Sequence, residues 1–143
     1  MNAADAGFLA PVLALVAWTL LMWLWMYATR LPAMRRAGVD PQDAARPGSL
    51  ATLLPAAVNR VADNYNHLHE QPTLFYALMF YLALAGGSDA TAATLAWAYV
   101  GLRVLHSLVQ ATVNIVVLRF AAFAAGSLVL AAMTAREVLR LVA

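Results

Sequence analysis

The sequence contains no cysteine and no lysine, and only 11% of its residues are charged. The absence of cysteine excludes a disulfide framework, a thiolate metal site and a cysteine nucleophile supplied by the chain. The absence of lysine excludes Schiff-base chemistry, because all nine basic residues are arginine. Seven acids oppose them, leaving a dispersed net charge of +2. That is too little for an electrostatic footprint on nucleic acid, so no nucleic-acid partner is expected. There is no glycine-rich phosphate loop and no Gly-x-Ser-x-Gly elbow, which removes the P-loop and serine-hydrolase readings.

What is present is apolar: 64% of 143 residues, with mean hydropathy +0.72. Soluble domains sit near about 45–50% apolar and about 25% charged. A water-soluble fold of this size could not bury so much Leu, Ala and Val. Each spanning helix needs about 20 residues, so four of them leave only short connections and no room for a separate soluble domain. The chain therefore reads as one all-α integral membrane unit, a bundle of four transmembrane helices.

The spans fall at residues 8–29, 62–86, 90–113 and 117–135, with a loop over 30–58. The first run is uncharged and carries Trp18, Trp23, Trp25 and Tyr27 in its second half. It is longer than a signal-peptide core and has interfacial aromatics, so it reads as a retained span. Pro32, Gly38, Pro41, Pro47, Gly48 and Pro55 read as loop punctuation. Gly86-Gly87-Ser88-Asp89 is a tight turn joining antiparallel neighbours, and Asn114 to Arg119 is a second. Arg30, Arg35, Arg36, Arg46 and Arg60 cluster in or beside the long loop. The positive-inside rule then puts that loop in the cytoplasm and both termini on the far side, although Arg136 and Arg140 pull the other way.

Polar groups inside the spans carry the functional signal, because an ionisable side chain at mid-bilayer costs about 2.5–3.5 kcal/mol on the mildest scale. Tyr99, Arg103, His106, Gln110 and Asn114 recur at helical spacing and share one face. Asn59, Asp63, Asn66 and Glu70 do the same on the second helix, flanked by Arg60, Asn64 and His67. Pro72 follows and frees a backbone carbonyl near Leu68. The bland reading is mutual satisfaction, with Glu70 paired to Arg103 and His106 hydrogen-bonded. A metal reading of His67-x-His69-Glu70 is weak, because side chains two apart on a helix diverge by about 200°. An anion pocket fits better: Arg103 and Arg119, with Arg30 and Arg35 toward the loop side and Glu70 as the one carboxylate. A ligand with several carboxylates and one ammonium would use both signs. Glutathione has that pattern, and a nearby cation favours its thiolate.

Two segments carry a resemblance. Asn66-His-Leu-His-Glu70-Gln-Pro72-Thr-Leu-Phe75-Tyr and Ala98-Tyr-Val-Gly-Leu-Arg103-Val-Leu-His106-Ser, in that order and in those spans, resemble the MAPEG family. These are the membrane-associated proteins of eicosanoid and glutathione metabolism, and the chain is similar to their bacterial branch over essentially its whole length. The resemblance implies a homotrimer of four-helix protomers in a bacterial inner membrane, with glutathione as co-substrate in a cleft between subunits. It implies that Glu70 takes the glutathione amino group and that Arg103 and His106 hold a carboxylate. Asn66, His67, Gln110 and Arg30 would complete the binding set, and Arg119 would stabilise the thiolate at the start of the last helix. Asp63 and Asn66 stand where the family carries arginine, His67 where it carries asparagine, and Gln110 where it carries tyrosine. Pro41-Gln-Asp43-Ala is similar to a loop segment of the prostaglandin synthase branch, but Asp43 reads as a turn residue.

Three functions remain open on this basis. The first is a glutathione-dependent transferase or peroxidase acting on a lipophilic small molecule that enters from membrane lipid. The second is a non-catalytic protein of the same fold that binds a lipid or another anion at the subunit interface. A small channel is disfavoured, since there is no inverted repeat and no pair of broken helices.

Overall fold

A computed structural model describes residues 7–45 and 48–143. Arg46, one of the loop arginines, and Asp5 lie outside them. The regular structure among the described residues is all helical, with five α-helices: α1 (Ala10–Ala37), α2 (Ala56–His67), α3 (Gln71–Leu84), α4 (Ala90–Ala111) and α5 (Val116–Val142). Among these, α1, α4 and α5 are long and apolar enough to cross a membrane. Helices α2 and α3 follow one another between α1 and α4, and neither is long enough alone to cross a membrane.

The helix bounds correct three expectations. Helix α1 does not stop at residue 29 but runs on through Pro32, Arg35 and Arg36. Leu, Ala, Met and Arg in that stretch are good helix formers, and together they outweigh one proline. The true stop is Gly38, whose left-handed φ of 62° lets the next amide, that of Val39, bond back to Met34. The second pass is not one helix over 62–86. It breaks at Leu68–Glu70, because Pro72 has no amide to give the Leu68 carbonyl and instead seeds the first turn of α3. Helix α5 continues past residue 135, since Arg136 and Arg140 find partners on the neighbouring turn. In the loop, two short 3-10 turns cover Pro41–Ala44 and Ser49–Ala51. The Asp40 carboxylate accepts from the Gln42 amide at 2.7 Å and the Asp43 carboxylate from the Asp40 amide at 3.0 Å, so Asp43 is a turn residue.

Helix α4 packs most extensively against α5, while α1 packs against α2 and α4. The core holds Leu15, Met22, Phe75, Met79, Leu82, Ala96, Tyr99 and Met133, with the Phe75 and Tyr99 rings stacked 4.5 Å apart. Leu13, Leu20, Leu24, Leu128 and Phe120 lie on the outer surface, where a bilayer accepts them.

The turn between α3 and α4 is tied to the end of α5. Asp89 caps α4 by accepting from the Ala92 amide at 2.8 Å and forms an ion pair with Arg136. Arg140 donates to the Ala85 and Gly86 carbonyls at 3.0 and 3.2 Å and pairs with Glu137. The hydrogen bond from Arg136, aided by the Ala92 amide, lowers the Asp89 pKa below its usual value of 3.8. A depressed carboxyl contributes stability that is present above its unfolded pKa and lost as the pH falls through its folded one. The part of the thermal stability that Asp89 contributes should therefore be constant above about pH 5 and be lost as the pH falls below about 4. Asp89→Asn keeps the cap and loses the ion pair, so its acid limb should be shallower than that of the wild type.

Candidate functional site

Helix α4 carries its polar stripe inward, as its spacing predicts. Tyr99, Arg103, His106 and Gln110 are all buried. Asn114 leaves the stripe. It sits past the end of α4 with a left-handed φ of 52°, and its side-chain oxygen accepts a 2.8 Å hydrogen bond from the Arg119 guanidinium.

Helix α2 is turned differently from the expectation. Its inward face is Val61, Ala62 and Asn64, and Asn64 donates to the Ser107 hydroxyl at 2.7 Å. Asp63 and Asn66 point outward, and so does Glu70, which lies beyond the break rather than on α2. Residues 60, 64 and 67 form a second polar face adjoining 59, 63, 66 and 70, and periodicity alone does not say which of the two faces the core. The expected Glu70–Arg103 ion pair is consequently absent. Among the described residues the ion pairs are Arg136–Asp89 and Arg140–Glu137.

Arg103 is only 1% exposed. Its Nη2 donates to the His67 carbonyl at 3.3 Å, the group that ends α2, while Nε and Nη1 have no partner among the described residues. The guanidinium carbon lies 5.3 Å from the Phe123 ring centre and 5.9 Å from that of Tyr99. Each such contact offsets about 0.5–1 kcal/mol of the desolvation. Arg103 thus bridges the broken pass to α4 and α5.

A cavity of about 200 Å³ lies beside this bridge, lined by His67, His106, Val116, Arg119, Phe120 and Phe123. The two imidazoles lie parallel with ring centres 5.9 Å apart, and His67 Nδ1 is buried without a partner among the described residues. Arg119 stands at the cavity edge on the first turn of α5. Its one side-chain partner among the described residues is the neutral Asn114, which leaves further guanidinium donors for an anion.

The predicted binding residues do not form one group within the chain. His67, His106 and Arg119 share this cavity. Arg30 and Asn66 line a second one of about 520 Å³ together with Tyr27, Met34 and Leu50. Glu70 is exposed at the helix break, and Arg103 and Gln110 are in the interior, with Gln110 Oε1 unpartnered among the described residues. Phe120, Phe123 and Val116 escaped the sequence reading because apolar residues in an apolar span give no signal. The Asn114–Arg119 contact had a faint one, in an amide side chain and a cation flanking a short turn.

No curated protein and no solved structure matches the chain. The family model described as "MAPEG family" matches residues 8–139. With nearly the whole chain matched and an all-helical, membrane-compatible architecture, the chain belongs to the MAPEG family.

Proposed function

We propose that the protein is a glutathione-dependent transferase or peroxidase acting on lipophilic electrophiles, of the bacterial branch of its family and working as a homotrimer in the inner membrane. The observation that carries this reading is Arg119. It is a cation at the lip of a largely apolar cavity, held by a neutral side chain, with donors to spare. Such a group stabilises a thiolate without neutralising itself in an internal ion pair.

The residues fit the chemistry of glutathione in part within one chain. Ligand-sized pockets are usually about 300–1,000 Å³, and the cavity of about 200 Å³ is too small for a tripeptide. It suits the thiol end. The charged ends would lie on the outward polar residues Asn66 and Glu70, with Arg30 as a further cation, and a neighbouring subunit would close over them. This division gives a physical reason for a trimer: the polar side of α2 is unsuited to lipid and suited to a subunit boundary.

When bound, glutathione supplies the nucleophilic sulfur. Arg119 holds negative charge at the sulfur position, while Phe120 and Phe123 keep water from it. Phe120 is 68% exposed, so this wall opens toward the surrounding lipid and admits a lipophilic reactant from the side. His67 and His106 face the same space and orient polar atoms of the bound molecules. Arg103 acts through them, as a positioning residue that pins the His67 carbonyl. The arginine-rich loop lies on the cytoplasmic side, where glutathione is available.

Isothermal titration of the detergent-solubilised protein with glutathione and with its S-methyl derivative tests the reading. Binding of both is expected, with glutathione tighter and releasing protons as its thiol ionises against Arg119. Absence of binding to either would refute it.

A further inference from the structure

We propose that the cleft between the end of α1 and the loop leading into α2 is a binding site for an anionic phospholipid. This proposal is independent of the thiol chemistry above.

The cleft holds about 750 Å³ and lies on the opposite side of α1 from the Arg30–Asn66 cavity. One wall is the α1 face Ala28, Thr29, Pro32, Ala33 and Arg36, and the other is formed by Leu53, Leu54 and nearby residues. From Ala28 to Arg36 the wall runs for about 12 Å along the helix axis. Chemistry changes along that length. The Ala28 end belongs to the uncharged first span, and the Arg36 end belongs to the last turn of α1, next to the left-handed Gly38 stop. Arg36 is the charged residue in the lining, and no carboxylate pairs with it among the described residues.

A slot that begins at the loop-side end of the first span, is lined by Ala28, Pro32, Ala33, Leu53, Leu54 and Val58 with Thr29 and Thr52, and ends on an uncompensated cation matches the glycerol end of an acyl chain carrying a phosphate. A zwitterionic lipid would offer the same chain but cancel much of the charge attraction. The arginines at this end of the helix also place the cleft at the leaflet where anionic lipids attract basic residues, at a level worth about 5-fold in affinity per arginine. Arg35 lies beside Arg36 in sequence but outside the lining, which gives an internal control for general surface charge.

Native mass spectrometry of the full chain, exchanged into detergent with phosphatidylglycerol or phosphatidylcholine, tests the site. The wild type should retain phosphatidylglycerol in preference to phosphatidylcholine. Arg36→Gln should lower that retention by about 5-fold and Arg35→Gln should leave it near the wild-type level. Leu53 is half-exposed at the cleft, so Leu53→Trp should fill the slot without touching the core and lower retention of both lipids. Equal retention of the two lipids by the wild type, equal losses in the two arginine variants, or no change in Arg36→Gln would overturn the proposal. A Leu53→Trp variant with unchanged lipid but altered oligomeric mass would also overturn it, showing that a second copy of the chain covers the cleft.

Discussion

Arg119→Ala is expected to lower turnover with a lipophilic aryl halide by about 100- to 1,000-fold, the range seen when one preorganised donor to a developing anion is removed. The variant should fold normally. Arg119 lies on the first turn of α5, is only partly buried, and gives up a single hydrogen bond to Asn114. The loss should fall on kcat more than on KM, because the carboxylates of glutathione are held elsewhere. The ultraviolet band of bound thiolate should disappear in step with the activity. Arg119→Lys keeps the charge but not the planar fork that Asn114 orients, so it should recover only part of the turnover. Undiminished turnover in Arg119→Ala would remove the thiolate role.

The fold was legible in the sequence wherever apolar periodicity was unbroken. Helix α4 starts at Ala90 behind the Asp89 cap, close to the span expected from residue 90. The breakers were harder to weigh. Pro32 and Pro72 look alike as letters. Pro72 follows a polar run of poor helix formers and splits its pass. Pro32 sits among Leu, Ala and Met and is absorbed, leaving Gly38 to end the helix. Reading a proline thus requires the propensity of the turns on both sides. Arg136 and Arg140 show the converse error: charge in the last helix suggested an end, but a helix continues through charge when carboxylates and carbonyls across the turn receive it.

The site was legible as a set of polar residues and not as a geometry. The stripe on α4 was unambiguous because its opposite side is apolar. Helix α2 is polar on two adjoining faces, so its rotation was undetermined. The structure turns Asn64 inward against Ser107, and Asp63 and Asn66 outward. That single rotation, together with the break at Leu68–Glu70, removes the Glu70–Arg103 pair and leaves a buried arginine without a counterion among the described residues. The partner it does have, the His67 backbone carbonyl at the end of α2, carries no side-chain signature. The two histidines were separable from the sequence by role only after the fold brought His67 and His106 side by side.

Arg103→Met is the test of why such a residue is kept. Burying the cation in the span costs about 2.5–3.5 kcal/mol. Against this stand one charge-assisted hydrogen bond to the His67 carbonyl, about 1.5–3 kcal/mol, and two aromatic faces at about 0.5–1 kcal/mol each. The opposing magnitudes nearly cancel. A methionine of similar length should therefore leave stability within about 1 kcal/mol of the wild type, as is common when buried charge is replaced by apolar bulk. Function should not be spared. Without the guanidinium the His67 carbonyl loses its tie to α4, the end of α2 is no longer held against α4, and the His67 ring leaves its place beside His106. A displacement of about 1 Å in a positioned group costs up to about 100-fold in rate, so turnover should fall by about 10- to 100-fold in a protein whose melting curve barely moves. Imidazole chemical shifts for His67 and His106 would report the displacement directly. A stable variant with full turnover and unmoved histidines would show that Arg103 positions nothing. A variant destabilised by more than about 3 kcal/mol would show instead that the cation is structural, in line with the cost of breaking a required buried pair.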